Sequence, residues 1–287
     1  LDFKILGEGN MKETIIEIKN LKYAYTGDKP ALRGIDVTIG KGERIAVIGS
    51  NGAGKSTFFL NLNGVLTPDS GEIYFKGQKL TRDKKDLNTL RKSIGIVFQD
   101  ADNQIIASTV MGEVSFGPMN LKLPREEVVR RVDEALEYMN ITDFKDRPPH
   151  YLSGGEKKRI TIADIIAMHS EVIVFDEPTA ALDPLNAEML EEVLEKLAAQ
   201  EKTMLISTHD VDFAYRWAER ALVFCDGQII ADAPPVEIFS DAEILKRANL
   251  KKPMMLEVYD AMVAKGMLPD DQAYPKDVAA FKHLLEA

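Results

Sequence analysis

The stretch "GSNGAGKSTFF", Gly49 to Phe59, constrains the fold more than any other part of the chain. It matches G-x-x-x-x-G-K-[ST], a loop whose backbone N–H groups converge on a phosphate only when a strand leads in and a helix leads out. Both flanks fit. Arg44 to Ile48 is a short apolar run feeding the loop, and "KSTFFLNLNG" from Lys55 reads as a helix closed by Gly64. Glycines at 49, 52 and 54 let the backbone wrap a phosphate closely. Lys55 can reach outer phosphates, Ser56 can place its hydroxyl on Mg²⁺, and Thr57 can bond a phosphate oxygen. Asn51, Gly52 and Gly54 join them as nucleotide-binding candidates.

The remaining pattern is α/β. Thr14–Lys19 and Ile35–Ile39 alternate apolar and polar residues as half-buried strands do. Leu87–Ser93 reads as a helix and Ile94–Phe98 as a buried strand. From Val110 to Met139 the pattern is helical, with Val128, Val132, Ala135 and Met139 on one face. Strand Glu171–Phe175, helix 185–199, strand 203–207, helix 211–218 and a hairpin at Asp226-Gly227 follow. Such alternation implies a largely parallel sheet. After about Asp232 short helices divided by prolines read as a small C-terminal appendix.

The 287 residues suffice for one large domain with an appendix. A net charge of -10 argues against a broad nucleic-acid surface. A single cysteine, Cys225 in an apolar run, is expected to be a buried free thiol and suits a reducing compartment. No apolar run approaches the roughly 18 residues of a membrane span. Residues 1–10 precede Met11 and match nothing that follows; they are expected to be an added leader.

A phosphate loop needs a partner that holds metal and activates water. "EVIVFDEP" supplies two adjacent carboxylates where a parallel strand ends. Asp176 is read as the Mg²⁺ residue and Glu177 as the group that orients or deprotonates water. Gln99 ends "GIVFQ" and His209 ends "MLISTH". Either is ordinarily structural, but both should flank the edge that carries Asp176, so both are candidates for the γ-phosphate, water or metal. Tyr25, in "YAYTGD", is either a base-stacking aromatic or an ordinary strand residue.

"LSGGEKKR", Leu152 to Arg159, adds a second N–H-rich turn before a helix. One phosphate site has no use for it, but a site shared with a second copy does. Here the chain resembles the ATP-binding cassette (ABC) ATPases, from about Ile15 to Ala233. The motifs are the phosphate loop, Gln99, "LSGGE", "VIVFDEP", "AALD" ending at Asp183, and His209, in that order. The resemblance implies a P-loop fold with a RecA-like parallel core, an antiparallel β subdomain and a helical subdomain near 100–168. The cassette would span 11–233 and the appendix 234–287. It also implies a head-to-tail dimer in which Ser153, Gly154 and Gly155 meet the partner's ATP and Asp183 communicates across the interface. Tyr25 would be the base-stacking aromatic. Glu156 stands where Gln is commoner, and Ala180 where Ser or Gly is.

"IGIVFQDADNQIIASTVMGEVSFGPMNLKLP" is similar to the energy-coupling factor (ECF) importers, whose ATPases carry "FQDPDNQ"; Ala101 replaces the Pro. That likeness implies Asp100, Asp102 and Glu113 as an acidic groove for Arg-containing helices of a membrane T component; a merely solvated acidic face is the alternative. The tail "PMMLEVYDAMVAKG" looks most like the cobalt-type (CbiO-like) ATPase. The partners implied are a second ATPase, a T component and a substrate-binding membrane subunit, at the cytoplasmic face of the membrane. A shared vitamin importer and another ABC importer are alternatives. The segment between Gln99 and Ser153 is too short for the insertions of DNA-repair relatives.

Overall fold

The computed structural model describes residues 12–26, 29–81, 83–180, 182–269 and 273–286; the expected leader, 1–10, lies outside them. In chain order, β1 (Thr14–Ala24) and β2 (Pro30–Gly40) precede β3 (Arg44–Gly49), which leads through the glycine loop into α1 (Lys55–Leu62). Then come β4 (Ser70–Phe75), the short β5 (Gln78–Lys79), α2 (Lys84–Ser93) and β6 (Ile94–Val97). Three helices follow, α3 (Val110–Asn120), α4 (Arg125–Tyr138) and α5 (Gly154–Ala167). Next are β7 (Val172–Asp176), α6 (Pro184–Ala199), β8 (Thr203–Ser207), α7 (Val211–Trp217), β9 (Arg220–Cys225) and β10 (Gln228–Ala233). The chain closes with α8 (Pro235–Ser240), α9 (Ala242–Ala248), α10 (Met254–Ala264) and α11 (Val278–Glu286).

Among the described residues β2-β1-β4-β5 form an antiparallel sheet, and β10-β9-β3-β8-β7-β6 a second one. In the second sheet every pairing is parallel except β9 with β10, which the Asp226-Gly227 hairpin makes antiparallel. Side chains alternate across a strand, and here the alternation feeds two cores. Ile45, Val47, Val172, Val174, Leu205, Leu222 and Phe224 point toward α1 and the antiparallel sheet, where Phe58, Phe59 and Leu62 fill the layer. Ala46, Ile48, Ile173, Phe175, Met204 and Ile206 point the other way, toward the helices that follow β6. Near-continuous apolar runs such as Ile45–Ile48 are what a strand covered on both faces requires.

The α4 stripe is as the periodicity predicts: Val128, Val132, Ala135 and Met139 are all buried. The C-terminal helices are not detached from the rest. Ile238, Phe239, Ala248 and Leu256 belong to the larger core, and Tyr215 donates its hydroxyl to the Pro275 carbonyl at 3.1 Å. Cys225 corrects an expectation: it is half-buried rather than buried, because β9 ends there and the thiol faces the Arg247 carbonyl of α9 at 3.5 Å.

Candidate functional site

The strand order places the carboxyl ends of β3, β8, β7 and β6 side by side. The glycine loop follows β3, His209 lies just past β8, Glu177 just past β7, and Gln99 just past β6. These segments line one open cavity of about 270 Å³, together with Tyr25, Ala31, Asn51 to Thr57 and Asp176. Every candidate from the glycine loop, the carboxylate pair and the two strand-end polar residues therefore converges on one site.

The loop's shape depends on glycine. Gly49 has φ 143°, and a Cβ there would sit 2.2 Å from the Phe224 carbonyl of neighbouring β9. Gly54 has φ 109°, and a Cβ there would meet the Ala31 carbonyl at 2.8 Å. Neither geometry admits a side chain. Lys55, 6% exposed, folds back over this loop and donates to Gly49 O at 2.7 Å and Ser50 O at 3.2 Å. Burial lowers the pKa of its ammonium, and Glu177 and Asp176 oppose that shift. The cation thus has provisional carbonyl partners, which an anion in the cavity can replace with a stronger one. Tyr25 is exposed, and its hydroxyl lies 3.1 Å from Thr57 Oγ1, so the ring stands at the mouth of the loop.

The carboxylates are set by β8. Asp176 and Ser207 face each other in the β7–β8 register. The buried Ser207 hydroxyl donates to Asp176 Oδ1 at 2.6 Å and accepts from the Glu177 backbone N–H at 2.9 Å. Glu177 is in the left-handed region, φ 47°, which is costly for a non-glycine residue and is a form of strain that concentrates at functional sites. Burial raises its pKa, while His209 and Lys55 pull it back down. His209 Nε2 lies 2.9 Å from Glu177 Oε1, but the ring is not aligned to donate. Among the described residues no donor is aligned on that buried oxygen, so a water molecule in the cavity can supply one.

The residues fit an Mg²⁺-nucleotide. Ser56 is exposed at the loop, one Asp176 oxygen is committed to Ser207, and the Gln99 side chain makes no hydrogen bond among the described residues. No cluster of three or more His, Cys, Asp or Glu that could hold a metal is present among the described residues. A cation here must draw most ligands from water and phosphate, which is how Mg²⁺ is usually held.

Ser153, Gly154 and Gly155 do not reach this cavity. Ser153 caps α5 and is exposed, as is Gly154, while Gly155 is half-buried. Glu156 completes a capping box, accepting from the Ser153 N–H and hydroxyl, each at 2.7 Å. Asp183 caps α6, accepting from Asn186 N at 2.9 Å and Asn186 Nδ2 at 2.7 Å. Asn186 packs so tightly on Gly155 that a Cβ there would come within 2.6 Å of it. The two motifs thus share a contact that their spacing in sequence does not reveal.

One expectation fails. Glu113 is 3% exposed and contributes no acidic surface; it accepts the Ile106 and Ala107 N–H groups at 2.9 and 2.6 Å. Asp100 and Asp102 do remain exposed beside Gln99. The spacing also missed Ser207 and Lys158. Lys158 is buried, with its pKa lowered by that burial to about 8, and donates to the Phe98 and Gln99 carbonyls. A serine inside an apolar strand and a lysine on a helix's inner face are the available signals, and neither says what it touches.

The ABC transporter family model matches residues 32–180. The chain is 48% identical to "Energy-coupling factor transporter ATP-binding protein EcfA2" of Methanospirillum hungatei, over 89% of this chain but only 64% of that relative's length. It is 46% identical to "Energy-coupling factor transporter ATP-binding protein EcfA" of Methanocaldococcus jannaschii, over 89% of this chain and 91% of the relative. Among solved structures it is similar to cbiO1 of Clostridium perfringens, described as part of the ABC transporter complex cbiONQ. That match has a TM-score of 0.73 and 39% identity over 87% of this chain and 100% of the other.

Proposed function

We infer that this chain, which belongs to the ABC transporter family as an ATP-hydrolysing subunit of the energy-coupling factor type, powers uptake of cobalt or nickel ions through membrane partner subunits. The observation that carries the ATPase reading is the convergence of Lys55, Gln99, Asp176, Glu177 and His209 on one cavity at the sheet edge, with a buried Glu177 oxygen left for water. The resemblance of the tail "PMMLEVYDAMVAKG" to the cobalt-type ATPase supports a metal over a vitamin.

In this reading the glycine loop's N–H groups and the α1 dipole bind the β- and γ-phosphates, and Lys55 moves from its carbonyl partners to the γ-phosphate. Ser56, Gln99 and Asp176 would hold Mg²⁺, which when bound neutralises charge on the β- and γ-oxygens. Glu177 Oε1 orients the attacking water in line with the γ-phosphorus and takes its proton. His209 keeps Glu177 in place and contacts the γ-phosphate. Tyr25 stacks on the base. Because Ser153, Gly154 and Gly155 lie outside the cavity of their own site, they serve the ATP of a second copy, with Asp183 and Asn186 beside them. ATP then closes a homodimer, and the grooves beside Gln99 carry that motion to a T component at the cytoplasmic face of the membrane.

Among the described residues no helix is long and apolar enough to cross a membrane. The test is to tag the chain in its native membranes, purify it gently and identify its companions by mass spectrometry. Recovery with one T component and metal-type membrane subunits, without a second ATPase, supports the proposal. A second, related ATPase with vitamin-binding subunits moves the assignment to a shared importer.

A further inference from the structure

Gln99 sits at the end of β6, on a segment held from the far side by α5. Lys158, on α5, is 4% exposed. Its ammonium donates to two consecutive carbonyls, Phe98 O at 2.8 Å and Gln99 O at 2.6 Å. One residue earlier, Lys157 Nζ pairs with Asp102 Oδ1 at 2.6 Å. On the other edge of the segment the Gln104 side-chain oxygen accepts the Phe98 N–H at 3.1 Å. Three side chains therefore hold the segment from Phe98 to Asp102 through four contacts, while the Gln99 side chain makes no hydrogen bond among the described residues and lines the nucleotide cavity.

Burying an ammonium is expensive unless its protons are all used. A neutral apolar side chain would fill the α5–β6 junction at less cost. The charge is retained at a place where it immobilises the backbone of a residue whose side chain faces the phosphates. The same helix is capped by the exposed Ser153.

We propose that Lys158 is a positioning residue for ATP hydrolysis, one that fixes the Gln99 backbone to the signature helix so that the Gln99 side chain meets the metal and water correctly. The inference rests on the ATPase reading above. It makes α5 a rigid link: its N-terminus serves the second copy's ATP, and Lys158 couples any displacement of that end to Gln99 in the chain's own site.

The experiment is a double-mutant cycle on the full chain, measuring Mg²⁺-dependent ATP turnover in the wild type, Lys158→Met, Lys158→Arg, Gln99→Ala and the double variant Gln99→Ala/Lys158→Met. Methionine matches the unbranched stem of lysine but removes its donors, and arginine restores N–H donors that can meet the two carbonyls. Lys158→Met is expected to lower kcat about tenfold with the KM for ATP within about twofold of wild type. Lys158→Arg should recover most of that loss. The double variant should be no slower than Gln99→Ala alone, because Lys158 acts through Gln99. Multiplied effects of the two substitutions, or an unchanged kcat in Lys158→Met, would overturn the proposal. Should Lys158→Met not fold, as judged by circular dichroism and thermal unfolding, Lys158→Gln takes its place, and failure of arginine to restore turnover counts against the proposal. A wild-type chain without Mg²⁺-ATPase activity overturns the ATPase reading and this inference with it; an active wild type with multiplied effects overturns the inference alone.

Discussion

Replacing Ser207 by alanine tests whether β8 sets the two carboxylates. The hydroxyl is fully buried, donates to Asp176 Oδ1 at 2.6 Å and accepts from Glu177 N at 2.9 Å. The second bond is not wholly lost, because the Ser207 carbonyl also accepts from Glu177 N at 3.2 Å. The first has no replacement in the protein. A hydrogen bond to a charged acceptor contributes about 1.5–3 kcal/mol, and removing one atom leaves almost no cavity. A loss of about 2 kcal/mol is expected, which lowers Tm by about 4–8 °C for a chain of this size. Asp176 and Glu177 also become less rigidly placed, so kcat should fall and the Mg²⁺ concentration for half-maximal rate should rise, while nucleotide affinity without Mg²⁺, which rests mainly on the glycine loop and Lys55, should change little. Thermal unfolding without nucleotide and Mg²⁺ titrations of ATPase rate measure both effects. A Tm within about 1 °C of wild type together with an unchanged Mg²⁺ requirement would refute the reasoning.

Glu177→Gln should bind ATP, lose turnover by about 10²- to 10⁴-fold and accumulate an ATP-bound dimer on light scattering; wild-type turnover removes Glu177 from the base role. Lys55→Ala should weaken ATP binding about 10- to 100-fold by equilibrium titration, and unchanged affinity would sink the phosphate-loop assignment. Asp164, on α5, is half-buried with its enclosed Oδ1 unpartnered among the described residues, and burial, reinforced by Glu113, pushes its pKa up to about 7. Between about pH 4 and that value the folded chain holds a proton the unfolded chain has released, so this group's contribution to stability falls as pH rises. Asp164→Asn should therefore raise Tm at pH 8 and leave it nearly unchanged at pH 4; equal shifts at both pH values would contradict the assignment.

Much of the site was legible because its chemistry is carried by contiguous motifs. A phosphate loop needs glycine at positive φ next to Lys and Ser, and those demands fall on neighbouring residues, Gly49 to Thr57. The strand ends before Gln99, Asp176 and His209 were equally plain, since apolar runs stop where polar residues begin. Period-2 and period-3.6 patterns placed β3, β7, β8 and the buried face of α4. What the sequence left open is every contact made across the fold. Ser207 meets Asp176 from 31 residues away, and Lys158 reaches Gln99 from 59. Glu113, which looked like surface acid, turns inward to cap its own loop. Such contacts carry no periodicity and no local spacing: they arise only when strand order, register and helix rotation are all set, and these depend on packing the two cores around one sheet. The chain alone thus determined which residues line the cavity at the sheet edge, and the tertiary structure decided which atoms hold those in place.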